Sequence, residues 1–279
     1  MPDRDYPFLK GHGTENDFVL LPDHDGAVHG DLSAARVRAL CDRRAGIGGD
    51  GVLRVIRSQD LSVVEPVETG AEWFMDYRNA DGGASEMCGN GIRLFALHLA
   101  REGLVDPTAP VPIATRDGVK TLTFDGDVIT VDLGTPRDLG VTEVAVDGRT
   151  WAARHVDMGN PHAVAFVDDI ADAGRLLDVP SYDADVYPDG VNIEFVARRG
   201  ERHVTMRVHE RGVGETRSCG TGAGAVLVAT ALADGCAGGR DATYRVDVPG
   251  GRLDLTWTAD DRVLLAGPAV IVARGTTSL

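Results

Sequence analysis

Hydrophobic residues along this chain fall into short, β-branched runs separated by glycine-containing turns. Segments 18–21, 52–56, 73–77, 128–131, 163–167, 193–196 and 204–208 are runs of this kind, and each predicts a strand. Two longer segments read differently. Residues 91–102 and 222–234 are each opened by a Cys-Gly-x-Gly turn and closed by a glycine, Gly103 or Gly235, which predicts helices with left-handed C-terminal stops.

The same events recur in the same order in both halves of the chain. Asn16 before one strand answers Asn160 before another, and Asp50-Gly51-Val52 answers Asp189-Gly190-Val191. Met75 and Cys88 answer Met206 and Cys219 without a gap. This ordering predicts a duplicated domain. The boundary falls at the turn signal Leu133-Gly134-Thr135-Pro136. Residues 1–132 together with 267–279 then form the half that carries Cys88, and 133–266 the half that carries Cys219. The connection 57–72, with its Val63-Val64 pair and Pro66, is long for a link between strands and reads as a surface insertion.

Charge narrows the range of partners. Of 279 residues, 28 are basic and 43 acidic, a net charge of −15 that repels nucleic-acid phosphates and anionic lipid surfaces. No membrane partner is expected either, because the longest weakly polar stretch, 220–233, is too short to span a bilayer. Met1-Pro2-Asp3-Arg4-Asp5 has no apolar run behind it, so nothing resembles a secretion signal and a cytoplasmic chain is expected. The four cysteines, Cys41, Cys88, Cys219 and Cys236, form neither a disulfide scaffold nor a Cys-x-x-Cys metal pair. With only Lys10 and Lys120, a Schiff-base cofactor has little to attach to.

The chemistry lies in the two cysteines that open the helices. A thiol on the first turn of a helix meets unpaired backbone N–H groups and the positive end of the helix dipole, which favours its ionised form. Two acid–base groups on opposite faces of one carbon can remove a proton and return one with inversion. An amino-acid α-carbon suits that exchange, with its carboxylate held by the N–H groups of Gly89-Asn90 and Gly220-Thr221. Such catalysis needs one thiol and one thiolate at a time. Cys41 and Cys236 lack this setting and read as small buried hydrophobes.

Two long motifs carry a resemblance. Asn79-Ala80-Asp81-Gly82-Gly83-Ala84-Ser85-Glu86-Met87-Cys88-Gly89-Asn90-Gly91-Ile92-Arg93 and Glu210-Arg211-Gly212-Val213-Gly214-Glu215-Thr216-Arg217-Ser218-Cys219-Gly220-Thr221-Gly222 resemble the two signatures of the diaminopimelate epimerases. Gly11-His12-Gly13-Thr14-Glu15-Asn16-Asp17-Phe18, Gly46-Ile47-Gly48-Gly49-Asp50, Met158-Gly159-Asn160-Pro161-His162 and Gly190-Val191-Asn192 match in family order. The resemblance implies an α+β fold of two pseudo-symmetric domains, each with β-strands wrapped around a central helix. It also implies a homodimer and a cofactor-independent enzyme interconverting LL- and meso-diaminopimelate for lysine and peptidoglycan synthesis. Carried over position by position, Cys88 and Cys219 are the acid–base pair. Asn16, Asn79, Gly89, Asn90, Asn160, Asn192, Glu210, Arg211, Gly220 and Thr221 contact substrate, and His162 and Glu210 tune the pair's ionisation. The chain departs from the family at Gly51, where a glutamine is frequent, so one side-chain contact is expected to be missing.

Other readings compete less well. Gly46-Ile47-Gly48-Gly49-Asp50-Gly51 fits a dinucleotide fingerprint, but a strand rather than a helix follows it. Asp168-Asp169 has no histidine or cysteine at metal-ligand spacing, so no metal site is expected. A Cys–His hydrolase using His162 would leave one cysteine idle. A proline or hydroxyproline racemase of similar build, an amino-acid-binding protein and a redox switch are the remaining rivals. Glu210-Arg211 and the full Cys88 motif favour diaminopimelate, because Arg211 can grip a carboxylate with both arms of its guanidinium.

Overall fold

The structure is a computed structural model and describes residues 5–61, 70–236 and 241–279. Val63, Val64 and Pro66 of the long connection lie outside the described residues, as do residues 1–4. The chain forms two compact units, Met1–Val131 with Pro268–Leu279 and Asp132–Gly267.

In the first unit the hairpin Tyr6–Gly13 and Asn16–Pro22 turns on Thr14 and Glu15, both at positive φ. Val270–Thr277 pairs antiparallel with the outer side of Tyr6–Gly13. On the inner side Asn16–Pro22 runs parallel to Gly51–Arg57, which pairs antiparallel with Trp73–Asn79. Trp73–Asn79 runs parallel to Val111–Thr115, and the antiparallel strands Gly118–Asp125 and Val128–Asp132 follow. The second unit repeats this succession. Its order is Arg137–Val146, Arg149–Asp157, Pro161–Phe166, Asn192–Gly200, His203–Glu210, Ala242–Val248, Gly251–Trp257 and Val263–Pro268, with the same alternation of parallel and antiparallel pairs.

Each unit buries one long helix against its strands, α2 (Gly89–Arg101) in the first and α3 (Gly220–Ala233) in the second. Burial extends round both helices rather than along one stripe, as it must for a helix enclosed by a sheet. In α3, Val226, Leu227 and Val228 are fully buried on successive positions, each contributing about 1.5–3 kcal/mol by removal from water. The short helix α1 (Ala34–Cys41) differs: it buries only Val37, Leu40 and Cys41, and Ser33 caps it by accepting from the Arg36 N–H.

Both long helices begin two residues earlier than the sequence pattern predicts. The cysteine itself is the N-cap, with extended φ/ψ, and Gly89 and Gly220 are the first helical residues. Glu102 and Asp234 are C-caps rather than helical residues, and Gly103 and Gly235 follow at positive φ.

The ladders also correct the register of the repeat. Phe18 pairs with Gly51 as His162 pairs with Asn192, and Val55 pairs with Met75 as Val196 pairs with Met206. Gly51 therefore corresponds to Asn192, not to Gly190. Asp189-Gly190 lies in the loop before its strand, with Gly190 at positive φ, whereas Gly51 is itself the first strand residue.

Candidate functional site

Cys88 sits where a strand-derived loop turns into α2, and its Sγ accepts from the Gly91 N–H at 3.5 Å. A helix N-terminus has backbone donors to spare, and here the thiol takes one of them. The Cys88 S–H in turn donates to Asn16 Oδ1 at 3.5 Å. Asn16 is held from both ends. Its Nδ2 donates to Asp50 Oδ2 at 2.7 Å, while its Oδ1 also accepts from Asn90 Nδ2 at 3.2 Å. The Asn90 amide is fixed by Arg93, whose Nη2 donates to Asn90 Oδ1 at 2.9 Å and whose Nη1 donates to the Gly89 carbonyl at 3.0 Å.

Arg93 and Asn90 are fully buried. Burial pulls the Arg93 guanidinium down to about 10, opposed by the negative charge that Cys88 can carry. A charged partner at the other end sits nearer water: Arg43 Nη2 donates to Asp50 Oδ1 at 2.7 Å. Asp50 and Arg93 thus set which way two consecutive amides face, so that a carbonyl oxygen meets the Cys88 sulfur.

Cys219 caps α3 in the same way, with Sγ accepting from the Gly222 N–H at 3.4 Å and lying 3.6 Å from Thr221 Oγ1. Its neighbours are acidic. Burial pushes the Cys219 thiol well above its ordinary range, and the charges of Glu210 and Glu194 add to that push. Thr216 Oγ1 donates to Glu210 Oε1. His162 is wholly buried, with Nδ1 2.7 Å from Glu194 Oε1 and Nε2 3.1 Å from Asn160 Oδ1. Asn192 accepts from the Arg211 N–H at 2.9 Å through Oδ1 and donates to the Pro161 carbonyl at 3.2 Å. Arg211 Nη1 reaches the Asp189 carbonyl at 3.4 Å.

The residues singled out in the sequence therefore form clusters within each unit. Asn16, Gly89 and Asn90 gather at Cys88. Gly220 and Thr221 stand at Cys219, His162 binds Asn160, and Asn192 binds Arg211. Asn79 is exposed at the end of its strand opposite Gly51. Gly51 has no room for a side chain: a Cβ there would lie 2.5 Å from the Arg78 carbonyl oxygen and 2.7 Å from the Tyr77 ring. Cys41 is buried, but Cys236 is half-exposed, because it follows the end of α3 rather than lying inside it.

Three residues escaped the sequence reading. Asp50 was visible only as part of a turn, and Arg93 only as a motif position. Glu194 had one signal, a lone acidic residue in the apolar run Ile193, Phe195, Val196, all fully buried.

Comparison with known proteins gives a consistent picture. The family model for diaminopimelate epimerase matches residues 8–139 and 154–272. A diaminopimelate epimerase of Streptomyces coelicolor is 58% identical over 275 residues, 96% of this chain and 94% of that protein. One from Corynebacterium glutamicum is 46% identical over 280 residues, covering 96% of this chain and 97% of its own. Among solved structures, a PhzF-family phenazine biosynthesis protein of Bacillus anthracis superposes with a TM-score of 0.70 at 15% identity, covering 98% of this chain and 99% of that one. A hydroxyproline epimerase of Agrobacterium vitis does so with a TM-score of 0.68 at 15% identity, over 98% and 92%. At that identity the likeness is one of fold. No helix among the described residues is long and apolar enough to cross a membrane.

Proposed function

This chain belongs to the diaminopimelate epimerase family, and on that premise we propose that Cys88 and Cys219 are the two bases with which it interconverts LL- and meso-diaminopimelate. The observation that carries the assignment is the matched capping of two helices by two thiols, with Gly91 N–H on one sulfur and Gly222 N–H on the other. In each direction one cysteine, as thiolate, takes the α-proton and becomes a thiol. The other, as thiol, gives its proton to the opposite face of the carbanion and becomes the thiolate. Atoms and charge balance, and the enzyme ends each turnover with the roles exchanged.

Negative charge that develops on the α-carboxylate is stabilised by the N–H groups of Gly89-Asn90 and Gly220-Thr221 at the two helix N-termini. Asn16, Asn79, Asn160, Asn192, Glu210 and Arg211 contact the substrate's polar heads. Amides offer donors and acceptors without net charge, which suits a zwitterion, and Arg211 binds a carboxylate. Recognition of the distal head excludes shorter amino acids, because unmatched polar groups would be buried. His162 and Glu210 tune the cysteines. The duplicated halves 1–132 with 267–279 and 133–266 each supply one cysteine. We also place the enzyme in the cytoplasm as a homodimer; dependence on two reduced thiols supports a reducing compartment.

The test offers the purified protein LL-diaminopimelate, L-proline and trans-4-hydroxy-L-proline separately and follows stereochemistry by chiral chromatography. Formation of meso-diaminopimelate, with the other two unchanged, is expected. Inversion of either proline, or no conversion of diaminopimelate, overturns the reading.

A further inference from the structure

Glu194 stands in the middle of the most apolar stretch of its strand, wholly buried, on a side chain that carries a carboxyl group. Burying such a group is unfavourable unless something uses it. Its Oε1 is bonded to His162 Nδ1 at 2.7 Å, and its Oε2 has no hydrogen-bond partner among the described residues. The carboxyl also abuts α3. A Cβ built on Gly222 would lie 2.7 Å from Glu194 Oε1 and 3.3 Å from Cys219 Sγ, so the two groups border the same small space at the helix N-terminus.

The first unit shows that the fold does not require this arrangement. At the ladder positions of His162 and Glu194 it carries Phe18 and Leu53. There the position equivalent to Gly222 is Gly91, whose Cβ would meet Leu53 Cδ2 at 3.2 Å and the Phe18 ring at 3.4 Å. One backbone is thus built with an apolar pair in one unit and a bonded acid–imidazole pair in the other. A costly group that the architecture can do without points to the chemistry.

We propose that Glu194 is a positioning residue for the reaction: it fixes His162 and, through His162, the Asn160 amide, and it sets the electrostatics at the end of α3 on which Cys219 depends. This rests on the reading of Cys219 as an acid–base group. The hydrogen bond fixes the orientation of the imidazole ring, with Nδ1 on Glu194 Oε1 and Nε2 turned to Asn160 Oδ1. A carboxylate beside the helix N-terminus also repels a Cys219 thiolate, in line with the upward shift of that thiol. The other groups around Glu194 are Glu210 near Cys219, Tyr187, whose phenol feels the Glu194 charge, and His155, which packs on Tyr187.

The test uses the full-length protein with Glu194→Gln, which keeps the shape and an acceptor for His162 but removes the charge, and Glu194→Leu, which copies the first unit. Circular dichroism and thermal melting check that each folds. In the otherwise unaltered enzyme, Glu194→Leu is expected to lower kcat about 10- to 100-fold, as loss of an outer hydrogen-bond partner of a functional histidine does in metal sites, with a smaller effect on KM. Glu194→Gln is expected to retain more activity but to shift the pH profile. In a Cys88→Ala background, iodoacetamide labelling mapped to the Cys219 peptide gives that thiol's titration directly, and both variants should move its midpoint down by about one pH unit or more. Unchanged midpoints together with parental kcat, KM and pH profile in folded Glu194→Gln overturn the inference. Full epimerisation by Cys219→Ala would instead overturn the underlying reading, while a shifted Cys219 midpoint would still stand as the electrostatic part of this one.

Discussion

The N-terminus of α2 and that of α3 are the same backbone object with different charges around it. At Cys88 a fully buried arginine reaches back over the first turn, and two amides are locked in series between Arg93 and Asp50. At Cys219 the position of Arg93 is taken by Gly224, and a carboxyl group bonded to histidine stands where the first unit has leucine and phenylalanine. A buried cation near one sulfur and acids near the other oppose each other in sign. A duplicated fold supplies two equivalent thiols, but a two-base inversion needs them inequivalent at every instant. The difference between the units lies in side chains that face the helix N-termini and leaves the strand succession untouched.

Removing the thiols breaks the comparison most severely. Cys88→Ala and Cys219→Ala are each expected to reduce epimerisation by about a thousandfold or more, the scale of a lost general acid or base, while melting close to the parent. Equal loss from both is expected, since each cysteine serves in every turnover.

Arg93→Met comes next. It removes the buried cation and the clamp on Asn90, so turnover should fall about 10- to 100-fold and thermal denaturation should show a loss of about 1–3 kcal/mol from the acceptors it abandons. Arg93→Lys should restore only part of the activity, because an ammonium cannot hold the Gly89 carbonyl and Asn90 Oδ1 in one planar fork. Asp50→Ala tests the other end of the series. Freed of its carboxylate partner, the Asn16 amide can turn, and kcat/KM is expected to fall about tenfold, the worth of about one charge-assisted hydrogen bond of 1.5 kcal/mol.

The smallest effect is the sharpest comparison. Gly91→Ala and Gly222→Ala add one methyl group at equivalent positions, but the second must displace Glu194 Oε1 from 2.7 Å while the first meets Leu53 at 3.2 Å. Steady-state kinetics should show Gly222→Ala slower than Gly91→Ala by roughly fivefold, about 1 kcal/mol of crowding.

Much of this arrangement is legible in the primary structure. The two helices with their glycine stops and the two cysteines that open them can be read from motif spacing, because a helix end is a local event written in adjacent residues, whereas the α+β class follows from the family resemblance. What escaped was less local. Helix α1 buries only Val37, Leu40 and Cys41, and Arg36 and Arg38 flank the first of them. Strands such as Ala242–Val248 and Gly251–Trp257 alternate buried and exposed residues without forming the dense apolar runs that mark the inner strands. Asp50 and Glu194 depend on contacts across separate elements, and a parallel ladder two residues out of step with the turn motifs hid the equivalence of Leu53 and Glu194. Gly51, which looked like a missing contact, is a steric requirement of the Tyr77 ring and the Arg78 carbonyl.

The central claim is that different groups remove and supply the proton at one carbon. Early time points of a reaction started from LL-diaminopimelate in heavy water, with the enzyme pre-equilibrated in that solvent, test it most directly. Mass spectrometry should find deuterium at the inverted carbon of the meso product while the remaining LL substrate still carries protium. Product that retains the substrate's own hydrogen would contradict the account.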